Sequence, residues 1–145
     1  VEYGETLLKQ TIDDINEIED MVDDYDTIQL ALAASWKRKA VRMVKERFDE
    51  TGTIDIGELM DRMNSHDDLR KHGEDLAELV QDFKENPGDL PDRIIDISSE
   101  RDIFEEAASF LEQEFGATVE VVPEGVSDFS KAGRARPGRP AIILD

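Results

Sequence analysis

Apolar residues in this chain recur at every third or fourth position over several long segments and alternate strictly over only a few short ones, a pattern that constrains it to helices packed with a small sheet. From Glu5 to Val22, Leu8, Ile12, Ile15, Met21 and Val22 follow the helical period, with Leu7 and Ile18 at the edges and acids on the other face. Ser35 offers a side-chain oxygen to the free amides of a second helix, whose face is Trp36, Ala40, Val44 and Phe48 and whose end is Gly52. A short helix entered at Asp55 covers Ile54 to Met63. A longer one, capped by Asp67 or Asp68, runs through Phe83 until Asn86-Pro87-Gly88 stops it. Ser99 caps the next, with Ile103, Phe104, Ala107, Ala108 and Leu111 on its apolar face and Gly116 as its left-handed end. Four segments read as strands: Thr27 to Ala34, Arg93 to Ser98, Thr118 to Val122 and Ala141 to Leu144. The expectation is an α+β domain, a small four-stranded sheet packed with about five helices, in an order that spacing does not specify. Residues 1–24 read as a leading helix or the end of a preceding helical region, and 25–145 as the domain proper.

A chain of 145 residues is about one domain with one core. Net charge is −19, from 17 Lys+Arg against 36 Asp+Glu, yet the 39% hydrophobic content argues against disorder. No apolar run approaches the roughly 20 residues that cross a bilayer, so the expected protein is soluble with no membrane partner. The absence of cysteine removes disulfides, thiolate metal sites and thiol nucleophiles, and it agrees with a reducing cytoplasm. VEYGETLL is not patterned as a signal peptide and does not begin with Met, which reads as a fragment of a longer chain. The acids are spread along nearly every helix instead of forming one block, favouring adaptation to molar salt over an acidic docking tail.

Among so many acids, neighbours such as Asp13/Asp14 and Asp23/Asp24 carry little information about catalysis. Asp23-Asp24-Tyr25-Asp26 lacks the spacing, central Gly and terminal Glu of a calcium loop. His66 and His72 stand six apart with no third soft ligand, so no metal site is expected. GxxxxGK[ST], GxGxxG and GxSxG motifs are absent, and a small hydrolase has no sequence support. What stands out is positive charge in two places. Lys131 to Arg139, KAGRARPGR, holds four bases and no acid and runs into an apolar terminus, Ile142, Ile143, Leu144 and Asp145. Gly and Pro keep this stretch from being a helix, and Arg134, Arg136 and Arg139 on a turning backbone suit forked contacts with phosphates or base edges. Lys37 to Arg47 carries six bases against one acid; Arg38, Arg42 and Lys45 share a stripe there, and Lys37 lies beside them. The competing reading of that helix is a cationic face neutralised by neighbouring acids.

The order of LLKQTIDDINEIEDMV, Ser35-Trp36-Lys37, Glu58-Leu59-Met60, Leu69-Arg70-Lys71-His72-Gly73, Leu79-Val80-Gln81, Phe110 to Gly116, and the closing Gly133-Arg134-Ala135 and Pro137-Gly138-Arg139-Pro140-Ala141-Ile142 resembles the carboxy-terminal region of archaeal-type leucyl-tRNA synthetases. The resemblance implies a small appended domain that contacts the elbow and long variable arm of leucine tRNA, its last residues reaching bases at the arm's tip. By position that role falls on Ile142 to Asp145; from their charge, Lys131, Arg134, Arg136 and Arg139 are read as tRNA-binding, the three arginines holding phosphates, and Lys37, Arg38, Arg42 and Lys45 as a second contact. It also implies a parent ligase whose remaining domains use ATP and Mg; the HIGH and KMSKS signatures of that chemistry are absent here, and no cofactor is expected in this segment. The acid load suggests a halophilic member. The alternative is an acidic protein-interaction domain of a multisubunit complex. If the acidity is a solvent adaptation, the melting temperature rises between low and molar KCl; a flat or falling series rejects it.

Overall fold

In the computed structural model, which describes residues 2–22, 24–91, 93–124 and 134–145, the alternating segment Thr27–Leu32 (β1) is the central strand of a three-stranded sheet. Thr118–Pro123 (β2) runs parallel to it on one side and Ala141–Leu144 (β3) antiparallel on the other, giving the order β2-β1-β3. Register sets Leu30 opposite Val121 and Ile142, and Ile28 opposite Val119 and Leu144. Side chains alternate across a strand, so these residues and Leu32 share one face, where Glu2–Glu19 (α1) and Ile97–Phe115 (α6) cover them with Leu7, Ile15, Phe104 and Leu111. On the opposite face Ala31, Ala33, Ala141 and Ile143 form a smaller cluster with Ala135 and Val122.

The described chain divides into two compact units, one built from the residues up to Ala34 together with Ile95–Asp145, the other from Ser35–Ile94. The sheet, α1 and α6 make the first, and α1 shares the core of β1. The second is helical: Ser35–Thr51 (α2), Ile56–Asn64 (α3), Asp67–Arg70 (α4) and Gly73–Glu85 (α5), followed by a 3₁₀ turn at Pro87–Asp89. Its core is Ala40, Val41 and Val44 of α2, Leu59 and Met63 of α3, Leu69 of α4, and Leu76, Leu79, Val80 and Phe83 of α5. Several ends form as their residues dictate. Asp55 accepts from Glu58 N as the N-cap of α3, a contact worth about 0.5–2 kcal/mol, and Gly116 ends α6 in the left-handed region.

The described residues form three strands and six α-helices, so the expected four-stranded sheet with about five helices is corrected in two places. Arg93 to Ser98 joins no ladder. Asp96 there turns its carboxylate onto Ser99 N at 2.7 Å and starts α6, displacing the cap expected at Ser99. The apolar pair that suggested a strand is divided: Ile94 packs in the helical unit and Ile95 under the sheet, so alternation serves two cores rather than two sheet faces. The second correction is the helix expected from Asp67 or Asp68 to Phe83, which breaks at Lys71 and His72. Gly73 is a poor helix former, and His72, whose ring stacks on Trp36 with centroids 4.0 Å apart, is held outside helical geometry. Asp67 and Asp68 sit inside the first turn of α4, where Asp68 pairs with Lys39 at 3.0 Å and has its carboxyl pulled below the usual range by that hydrogen bond.

Tyr25 ties the entry of β1 to the end of α1 by donating its hydroxyl to Glu19. Burial first, then Glu19, raise its phenol from 10 to about 12. The neutral phenol is therefore the form the fold favours, and its contribution is complete below pH 10 and lost as pH rises toward 12. In a Tyr3→Phe background, ultraviolet titration gives a Tyr25 midpoint near 12, moving down in Glu19→Gln; a midpoint near 10 refutes the contact. Ile142 is 3% exposed, so Ile142→Ala costs about 2–5 kcal/mol in urea denaturation, whereas a solvent-facing residue would cost almost nothing.

Candidate nucleic-acid interface

Pro137 and Gly138 reverse the chain between Arg136 and Arg139. Pro presets the first turn position and Gly138, at φ 77°, takes the left-handed second one, the pattern of a type II turn. Backbone bonds close it in both directions, Arg136 N to Arg139 O at 3.0 Å and Arg139 N to Arg136 O at 2.8 Å. Gly138 N also donates to Glu100 Oε1 at 2.7 Å, and Glu100, at the start of α6, is fully buried. Two residues after the turn, β3 begins. The arginines are thus carried on a hairpin whose base is a core strand and whose tip is held by a buried carboxylate.

On that frame the three arginines differ. Arg134 is exposed and makes no ion pair among the described residues. Arg136 is half-buried, donating Nη1 to Ala135 O at 3.0 Å. Arg139 reaches α1: Nε donates to Asp14 Oδ2 at 3.2 Å and Nη2 to Oδ1 at 3.1 Å, a two-point fork. A shallow cleft of about 210 Å³ lies here, lined by Asp14, Glu17 and Ile18 of α1 and by Arg134, Arg139, Pro140, Ala141 and Ile142. Lys131 lies outside the described residues. Ile142 and Ile143 are core residues, 3% and 6% exposed, so their side chains are not available to a base. Leu144 is half-buried. Asp145 has an exposed side chain on an anchored backbone, its carbonyl accepting from Asp26 N and Thr27 N and its amide donating to Thr27 O.

The second basic place does not form the exposed ridge expected of it. Lys37 and Arg38 are buried, at 4% and 1% exposure. Lys39 pairs with Asp68, Lys45 with Asp49 at 3.8 Å, and Arg47 with Glu50 and Glu58, which accept from its guanidinium and, Glu58 foremost, hold it above the usual range. Arg42 remains exposed, with only a long 3.5 Å contact to Ile94 O. Val41 was the overlooked signal: it lies three residues from Arg38 and four from Lys37, so the apolar face of α2 extends beneath both. Glu100 was legible in the same way, standing in register with Ile103, Phe104, Ala107 and Leu111 on the apolar stripe of α6. Asp14 was not legible, since 125 residues separate it from Arg139.

Among the described residues no group of His, Asp and Glu is arranged to hold a metal ion, and no helix is long and apolar enough to cross a membrane.

No family model matches the chain. Across 99% of its residues it is 30% identical to the leucine–tRNA ligase of Methanosarcina barkeri, and across 97% it is 30% identical to those of Archaeoglobus fulgidus and Halobacterium salinarum. The chain is similar, nearly end to end, to one stretch of archaeal leucine–tRNA ligases. It spans only 14–16% of the length of these relatives, so the likeness is to a part of such an enzyme.

Proposed function

We propose that this chain is the carboxy-terminal tRNA-recognition segment of a leucine–tRNA ligase and that it helps hold leucine tRNA by its long variable arm. The observation carrying this reading is the 30% identity to leucine–tRNA ligases over 97–99% of the chain. ATP-dependent leucylation, with its Mg, would then belong to the remaining domains of the parent enzyme, and this segment would add affinity through tethering. The acid load fits a parent working in molar salt.

The geometry changes how the grip works. Arg134 is the best-placed phosphate contact, exposed on the cleft rim beside Arg139. Ile142 and Ile143 act as the strand that anchors the turn, and only Leu144 and the Asp145 side chain present the end of that strand to a partner. Arg42 is the surviving candidate for a second phosphate contact. Looped RNA offers unstacked base edges to such an exposed strand end without needing a deep pocket. Removing residues 142–145 would delete β3 along with any contact, so a loss of function after that truncation says nothing about recognition. Point changes at exposed residues do.

Filter binding of the chain to a long-variable-arm tRNA and to a short-arm tRNA tests the reading. The long-arm tRNA binds more tightly. Arg134→Ala weakens it and lowers the slope of log affinity against log salt by about 0.7–0.9, the loss of one phosphate contact. Equal retention of both tRNAs rejects recognition of the long variable arm; retention of neither rejects RNA binding and favours an acidic protein-interaction domain.

A further inference from the structure

We propose that Asp14 is a built-in competitor for RNA phosphate, filling one of the two edges of Arg139 and offsetting its charge, and so setting the affinity and salt dependence of the arginine turn. The inference rests on the RNA-binding reading above and adds to it a residue that reading does not use.

A guanidinium receives a carboxylate or a phosphate through a pair of parallel N–H bonds, and the edge that carries Nε is one of the two it offers. Asp14 already fills one such edge of Arg139, through Nε at 3.2 Å and Nη2 at 3.1 Å. It is not a loose surface acid. Its side chain is only 13% exposed, and Gln10 Nε2 donates to the same Oδ1 at 3.2 Å, so the carboxylate is aimed at the turn from both sides. Arg139 is 58% exposed, open to an anion arriving from solvent. The surrounding charges give the same result: Asp14 and Glu17 offset Arg134 and Arg139 in the cleft they share, so a phosphate meets little net attraction while Asp14 is charged and paired. The Arg139 half of the pair faces solvent, so a phosphate can reach it and compete with Asp14. Displacing it exchanges one anion for another, so seating a phosphate on Arg139 releases little counterion, and binding depends on salt less steeply than the number of arginines suggests.

Binding of a fluorophore-labelled long-variable-arm tRNA to the 145-residue chain, measured by anisotropy across a KCl series, tests this. Asp14→Asn tightens binding on the order of tenfold at low salt and steepens the log–log salt slope by about 0.7–0.9. Glu17→Gln removes the same charge from the same cleft without touching Arg139, and its gain is smaller. In an Arg139→Gln background the Asp14→Asn gain disappears, a non-additivity expected of two groups in contact. Circular dichroism melting checks that each variant is folded, and Asp14→Ser repeats the measurement if the Asn variant is not. The proposal is overturned if Asp14→Asn binds no better than the parent chain, if Glu17→Gln matches it, or if the gain survives without Arg139. Binding by the parent chain with long-arm preference but no gain in Asp14→Asn removes only the competitor; binding by neither removes the RNA reading as well.

Discussion

The sheet-bearing unit depends on β1 being the strand in the middle. It alone carries two ladders, and both of its faces are buried, Ile28, Leu30 and Leu32 under the helices and Ala31 against the alanine cluster, all at 0% exposure. Burying each large aliphatic side chain contributes about 1.5–3 kcal/mol, and backbone groups buried on both faces are costly to leave without their ladder bonds. β3 has only four residues and borrows its stability from this neighbour. Whatever the arginine turn does, it does from a platform set by β1, because Arg139 stands two residues ahead of β3.

That coupling explains why the apolar terminus serves the core before it serves any ligand. An antiparallel edge strand of four residues needs its apolar side chains inside: Ala141 and Ile143 fill one face, Ile142 and Leu144 the other. What remains outward is the strand end and the turn before it. The turn is rigid for reasons internal to the protein, a Pro-Gly reversal closed by two backbone bonds and held by the buried Glu100 carboxylate. A buried carboxylate is costly unless satisfied, so its hydrogen bond to Gly138 N links the placement of the turn to the stability of α6.

With 36 acids against 17 bases, most cations in such a chain are expected to end beside an acid. Lys39, Lys45, Arg47 and Arg139 do so, Lys39 and Lys45 in exposed pairs that contribute little to stability. Such pairs decide availability instead. Arg134 and Arg42 are exposed and make no ion pair among the described residues, and they therefore matter more to an anionic partner than the count of bases in either segment suggests.

Most of the helices, the Asp55 and Gly116 ends and three of the strands could be read from residue order, because each obeys a rule spanning only a few residues: a helix buries every third or fourth side chain, a strand every second. The helix expected from Asp67 or Asp68 to Phe83 is two, and Met21, expected on the apolar face of α1, lies beyond its end and is exposed. The same rule misled at Arg93 to Ser98, where two adjacent isoleucines serve different cores, and at Arg38, where a buried cation looks like a surface one until Val41 is taken into account. The pairing of β1 with β2 and β3, the burial of Ile142 and Ile143, and the clasp of Asp14 on Arg139 join residues about 90 to 125 apart. Nothing local encodes such distances. They are settled when the chain closes on itself, since only then do excluded water and a fixed neighbour determine which cations stay paired and which remain open to a ligand.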